Sequence, residues 1–187
     1  RAVQSFPRGS APGPSGLRPQ HLQDSLKSAG GDSTLEQLTA LVGLLSRGEA
    51  PRAVAPFLAG ATLIALRKED GGVRPIAAGD TLRRLTASCL CTLHHGEARD
   101  LLWPQQIGVG VPLGVEIGVH SARQWMHRNK GTPRKVAIKI DFRNAFNSVK
   151  RESFLRSFRV NLPGLSPWME WCYKEASHLF FNGDATA

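Results

Sequence analysis

Residues 61–78 constrain the fold most. Ala61-Thr-Leu-Ile-Ala-Leu-Arg67 is an apolar, strand-like run, Glu69-Asp70-Gly71-Gly72 follows it, and a second run spans Val73 to Ala78. An Asp-Gly pair between two such runs supplies the backbone of a tight turn, so the segment predicts an antiparallel β-hairpin. The stretches before it are helical in pattern. Pro19 suits a first helical position, with Leu22 and Leu26 on one face and Gly30-Gly31 as the stop. Ser33 and Glu36 have capping-box spacing ahead of Leu35, Leu38, Leu41, Val42 and Leu45, and Gly48 and Pro51 close that helix.

Past the hairpin, Asp80 is placed to cap a helix whose apolar side is Leu82, Leu85, Cys89, Leu90 and Leu93. Val115 to Arg128 reads as another helix. Val136, Ile138 and Ile140 then alternate with Lys135, Ala137 and Lys139, the pattern of a half-buried strand, with Asp141 at its tip. Ser148 is expected to cap a helix through Phe154 and Leu155, and Ser166-Pro167 to open a last one holding Trp168, Trp171 and Tyr173. The order of helices, hairpin, helices, strand and helices is α+β.

Charge narrows the partners. The 187-residue chain carries 24 Lys and Arg against 15 Asp and Glu, a net charge of +9. From Ile117 to Ile140 there is no acid, while Arg123, Arg128, Lys130, Arg134, Lys135 and Lys139 all fall in that window. Such a stretch attracts a polyanion, and ending on a lone aspartate it would hold a phosphate backbone beside an acidic centre. A carboxylate at a strand tip can also hold a divalent metal through oxygen, or simply cap the next turn. Three cysteines make no disulfide framework, no apolar run is long enough for a membrane span, and no initiator Met is present. The expectation is an intracellular protein, cytoplasmic and nuclear, cut from a longer one. Cys91, His94 and His95 have ligand-like spacing but are read as packing, Gly108, Gly110 and Gly114 as turns, and Trp168, Trp171 and Tyr173 as core.

Ile138-Lys-Ile-Asp-Phe-Arg-Asn-Ala-Phe-Asn-Ser-Val149 is similar to motif A of reverse transcriptases, most of all those of non-LTR (LINE-type) retrotransposons. Four further stretches match in the same order: Gly13-Pro-Ser-Gly-Leu-Arg-Pro19, Leu63-Ile-Ala-Leu-Arg-Lys68, Val73-Arg-Pro-Ile76 with Asp80-Thr-Leu-Arg-Arg84, and Gln106-Ile-Gly-Val109 with Gly114-Val-Glu116. The resemblance implies part of a right-handed polymerase, with 1–60 a helical lead-in, 61–134 the fingers and 135–187 the start of the palm. It implies an RNA-directed DNA polymerase working on RNA template, DNA primer and deoxynucleoside triphosphates. Asp141 would bind two Mg²⁺ ions, one also held by the Phe142 carbonyl. Phe146 would be the wall against a 2′-hydroxyl, and Arg74, with Lys68, would grip the triphosphate. Arg83, Arg84, Arg123, Arg128 and Lys130 would touch nucleic acid. The family's Tyr-x-Asp-Asp turn is absent from the sequence. The activity is therefore expected of a longer polypeptide with the remaining palm and thumb, and the alternative is a non-catalytic nucleic-acid-binding remnant.

Overall fold

The computed structural model describes every residue except Asp70, Arg143, Asn144 and Ala187, and leaves out the side chains of Phe146, Asn147 and Thr186. The described elements run α1 (Pro19–Ser25), α2 (Gly31–Ser46), α3 (Ala55–Leu58), β1 (Ala61–Arg67), β2 (Val73–Gly79), α4 (Thr81–Leu93), α5 (His95–Leu102), α6 (Gly114–Arg128), α7 (Ala145–Ser148), α8 (Arg151–Asn161), α9 (Ser166–Tyr173), β3 (Leu179–Phe181) and β4 (Asp184–Thr186). The α+β class holds.

The core forms where α2, α3, α4 and α9 converge: Leu45, Ala55, Leu90, Trp168, Trp171 and Cys172 are buried together. All three thirds of the chain thus contribute to one core. Trp171 is the more buried of its two tryptophans, 1% exposed, and its indole N–H donates to the Ala50 carbonyl at 2.8 Å. Its ring stacks on Trp168 with centroids 5.7 Å apart. Burying an indole of this size removes about 200 Å² from water, and the satisfied N–H removes the usual cost of burying a polar edge. The expected packing role of Trp168, Trp171 and Tyr173 is what is found.

The hairpin forms in the register its turn dictates, Ala61 opposite Gly79 and Arg67 opposite Val73. The sheet order is β2-β1-β3-β4, and β3 lies parallel to β1, touching it only at Ala61 and Thr62. The outer half of the hairpin therefore projects beyond the sheet, which is why Ile64, Leu66, Val73 and Ile76 are exposed. Strands β3 and β4 gave no sequence signal: each is three residues long, too short for a period to show.

Four local expectations need correction. The half-buried strand from Lys135 to Ile140 is absent: the segment has no ladder partner among the described residues, and Val136, Ile138 and Ile140 are 75%, 77% and 70% exposed. Alternation makes a strand amphipathic, but a strand exists only where a neighbour takes its backbone hydrogen bonds. Helix α2 begins at Gly31 with Gly30 as its cap, so Ser33 lies inside the helix and no capping box forms. A side chain at position 31 would strike the Leu26 carbonyl, which favours a glycine entry over a serine cap. Helix α8 begins at Arg151 with Lys150 at its cap, three residues past Ser148. Leu93, expected on the apolar side of α4, is exposed.

Candidate nucleic-acid and nucleotide interface

At the projecting end of the hairpin, pairing sets the side chains. Leu66 lies opposite Arg74, so both share a face, and Lys68 continues that face by the two-residue strand period. The Lys68 N–H donates to the Gly72 carbonyl at 2.7 Å and closes the turn. Lys68 and Arg74 are both exposed, neither makes an ion pair among the described residues, and with Leu66, Arg67 and Glu69 they line an open cleft. Two cations on a rigid ribbon beside an apolar strip (Ile64, Leu66, Ile76) can hold a phosphate chain while the attached base or sugar covers carbon. A guanidinium fork is suited to that contact.

The two arginines of α4 behave differently. Arg83 donates to the Ala59 carbonyl at 3.0 Å and to the Tyr173 hydroxyl at 2.8 Å, and its guanidinium lies over the Tyr173 ring. Arg84 donates to the Ala11 carbonyl at 2.6 Å and to Thr81 Oγ1 at 3.2 Å, over the Phe6 ring. Their charged heads tie α4 to α9 and to the N-terminal lead-in, inside the fold rather than toward a template.

Helix α6 carries the exposed charge. Arg123 and Arg128 lie on it and Lys130 just beyond, all exposed and free of ion pairs among the described residues. Leu113, Glu116, Ile117, His120, Arg123, Gln124 and His127 line an open cleft along one side. His120 and His127 were missed by sequence reasoning, although their seven-residue spacing on a helix already puts them on one face with Arg123 nearby.

Asp141 and Phe142 sit in the exposed, irregular stretch after Ile140. No hydrogen bond or ion pair joins Asp141 to Lys68 or Arg74 among the described residues. The Phe146 side chain lies outside the described residues. No group of three or more His, Cys, Asp or Glu gathers among the described residues in a way that could hold a metal. Cys91, His94 and His95 form no such cluster: His94 Nδ1 lies 2.8 Å from Glu97 Oε2, and its ring packs against Gly164. Burial pushes the Cys172 thiol up to about 12, which makes it an inert core residue.

The short motifs have concrete structural causes. Asp80, 1% exposed, accepts from the Leu82 N–H at 2.9 Å and from the Ser15 N–H at 3.2 Å, and Thr81 Oγ1 donates to the Leu17 carbonyl at 2.5 Å. Gly13 is pressed so closely on the Asp80 backbone that a side chain would collide with it. Residues 13–17 are thereby clamped to the start of α4. In the same way Ile107 lies on α6: its carbonyl occupies the space of a side chain at Gly114, and its Cδ1 would be 2.8 Å from a Cβ at Gly118. Residues 13–17 with the start of α4, and Ile107 with Gly114 and Gly118, are thus contact pairs.

No helix among the described residues is long and apolar enough to cross a membrane. No protein-family model, curated protein or solved structure matches this chain.

Proposed function

We propose that the chain is the fingers and the beginning of the palm of an RNA-directed DNA polymerase of the non-LTR retrotransposon type. The observation that carries the reading is the hairpin register, which puts Arg74 across from Leu66 with Lys68 on the same face of a projecting, exposed ribbon. In this reading Arg74 and Lys68 bind the phosphates of an incoming deoxynucleoside triphosphate. Arg123, Arg128 and Lys130 bind the template-primer backbone. The fold neutralises neither set internally among the described residues, so both keep their charge for a ligand.

Asp141 is the expected metal-binding acid, but the donor set does not fit a pair of Mg²⁺ ions. One exposed carboxylate and the neighbouring Phe142 carbonyl, with no other acid gathered beside them among the described residues, are too few oxygen ligands. That isolation also favours a second reading, a nucleic-acid-binding remnant that keeps the electrostatics without the chemistry.

The test is a titration of the chain with a deoxynucleoside triphosphate and with single-stranded RNA across a salt series. Arg74→Ala should weaken triphosphate binding at least tenfold, with Arg74→Lys recovering part of it. Replacing Arg123, Arg128 and Lys130 by Gln should cut the salt slope of RNA binding by about 2–3 while leaving triphosphate binding unchanged. Loss of both ligands in both variants, or in neither, would overturn the assignment of the two surfaces. Primer extension by a polypeptide that adds the paired-aspartate turn to this chain, with Asp141→Asn as control, separates polymerase from remnant.

A further inference from the structure

Two hydroxyl residues of the chain directly precede a proline, in Thr132-Pro133 and Ser166-Pro167, and the fold treats them oppositely. Ser166 opens α9, is 8% exposed and donates to Glu170 Oε1 at 3.4 Å. Thr132 is exposed, and its hydroxyl makes no hydrogen bond among the described residues. It stands in a short loop after α6 that is held by its own contacts. The Thr132 N–H donates to the Asn129 carbonyl at 3.0 Å, and Lys135 Nζ donates to Asn129 Oδ1 at 2.5 Å across the loop. Gly131 and Arg134 have φ of 77° and 66°, so the backbone turns on either side of Thr132-Pro133. The loop sequence, Asn129-Lys-Gly-Thr-Pro-Arg-Lys135, has no large apolar side chain that would need covering.

We propose that Thr132 is the phosphate acceptor for a proline-directed serine/threonine kinase, and that its phosphate weakens nucleic-acid binding at the basic end of α6. The second half rests on the reading of Arg123, Arg128 and Lys130 given above. A proline disfavours the helical region for the residue before it, so Thr132 is offered in the extended form that a peptide-binding cleft takes. Pro133 also lacks an N–H. A kinase pocket with no acceptor at that position admits proline and rejects other residues, whose N–H would be buried unpaired. Lys135, three residues past the threonine, offers such a kinase a cation to pair with an acidic group. The transfer makes a bond from Thr132 Oγ1 to the γ-phosphorus of ATP and breaks that phosphorus's bond to the bridging oxygen of ADP. ADP leaves, and the hydroxyl proton passes to the kinase's general base. The product carries a charge of about −1.5 to −2 within three residues of Lys130, Arg134 and Lys135. Those cations then have a partner inside the chain, and the net charge falls from +9 to about +7.

The experiment treats the chain with a proline-directed kinase and ATP, locates phosphate by mass spectrometry, and titrates both forms with single-stranded RNA across a salt series. Phosphate should appear on Thr132 and not on Ser166. Thr132→Ser should still accept it and Thr132→Ala should not. Pro133→Ala, at an exposed position, should slow transfer at least about tenfold. The phosphorylated chain should bind RNA about tenfold more weakly, with a salt slope smaller by about 1. No phosphate at Thr132, equal transfer to Ser166, or a rate indifferent to Pro133→Ala would overturn the acceptor site. Equal RNA affinity and slope before and after phosphorylation would overturn its coupling to binding. An unmodified chain that binds no RNA would overturn the proposed α6 surface and the coupling together, whereas phosphate transfer is scored without RNA.

Discussion

Asp80 is a buried acid whose surroundings assign it to architecture, and two substitutions separate its two jobs. Both carboxylate oxygens are used: Oδ1 caps α4 through the Leu82 N–H, and Oδ2 accepts from Ser15, sixty-five positions away in sequence. Asp80→Ala removes both. Losing the cap costs about 1 kcal/mol. Leaving the part-buried Ser15 N–H without its acceptor costs about 1–2 kcal/mol more. The sum of about 2–3 kcal/mol is a large part of the 5–15 kcal/mol typical of a domain. Asp80→Asn keeps a good cap through its carbonyl but turns an NH₂ group toward the Ser15 donor. It should therefore cost only the Ser15 portion, about 1–2 kcal/mol. Urea unfolding gives the two midpoints, and timed trypsin digestion reads the lead-in through cleavage at Arg8. Both variants should be cut faster than wild type at this site, while only Asp80→Ala should also lose helical signal before the main transition. A change under about 0.5 kcal/mol for Asp80→Ala, or an unchanged cleavage rate for Asp80→Asn, would refute the clamp.

Two further outcomes follow from the packing. Trp171→Phe should destabilise by about 2–3 kcal/mol in a thermal melt, because it strands the buried Ala50 carbonyl and shrinks the ring stacked on Trp168. Arg159, donating to Glu170 Oε1 at 2.5 Å, holds the Glu170 carboxyl below its usual range, helped by Ser166 and Lys174 against a smaller opposing effect of burial. A folded value below the unfolded one gives stability that is present above the ordinary carboxylate range and is lost as pH falls through the lowered value. Since Arg159 is about half exposed, the effect is held to about 0.5 kcal/mol, and Glu170→Gln should flatten that part of the stability–pH curve.

What was legible in the sequence was what is decided locally. The hairpin boundaries, the Asp80 cap, the Gly114–Arg128 helix and the Ser166-Pro167 start each depend on residues within a few positions of one another. The ordered short motifs were legible as motifs but not as contacts: nothing in Gly13-Pro-Ser-Gly says that it lies on Asp80, nor in Gln106-Ile-Gly that its isoleucine needs Gly114 and Gly118 beneath it. The functions of single arginines were the least legible. Arg74 and Arg83 each follow a single apolar residue, Val73 and Leu82, in a basic chain, yet one projects from a ribbon and the other is fixed by Ala59 and Tyr173. Only the distance of each from the core distinguishes them.

The missing strand at 135–140 has the same cause in stronger form. Its alternation is regular, but a hairpin carries its partner six residues away, whereas this segment's partner must come from elsewhere. Loop closure to a distant strand has to be offset by the ladder it makes. Among the described residues no such strand is found, so the segment stays exposed. A pairing strand is therefore the structural precondition for any chemistry at Asp141: it would order the backbone that aims the carboxylate and cover the apolar row beneath it. If it comes from a segment that carries carboxylates of its own, the acids gather and a cation can be held. The identity of the strand that pairs with residues 135–141 therefore decides whether a cation is held beside Asp141.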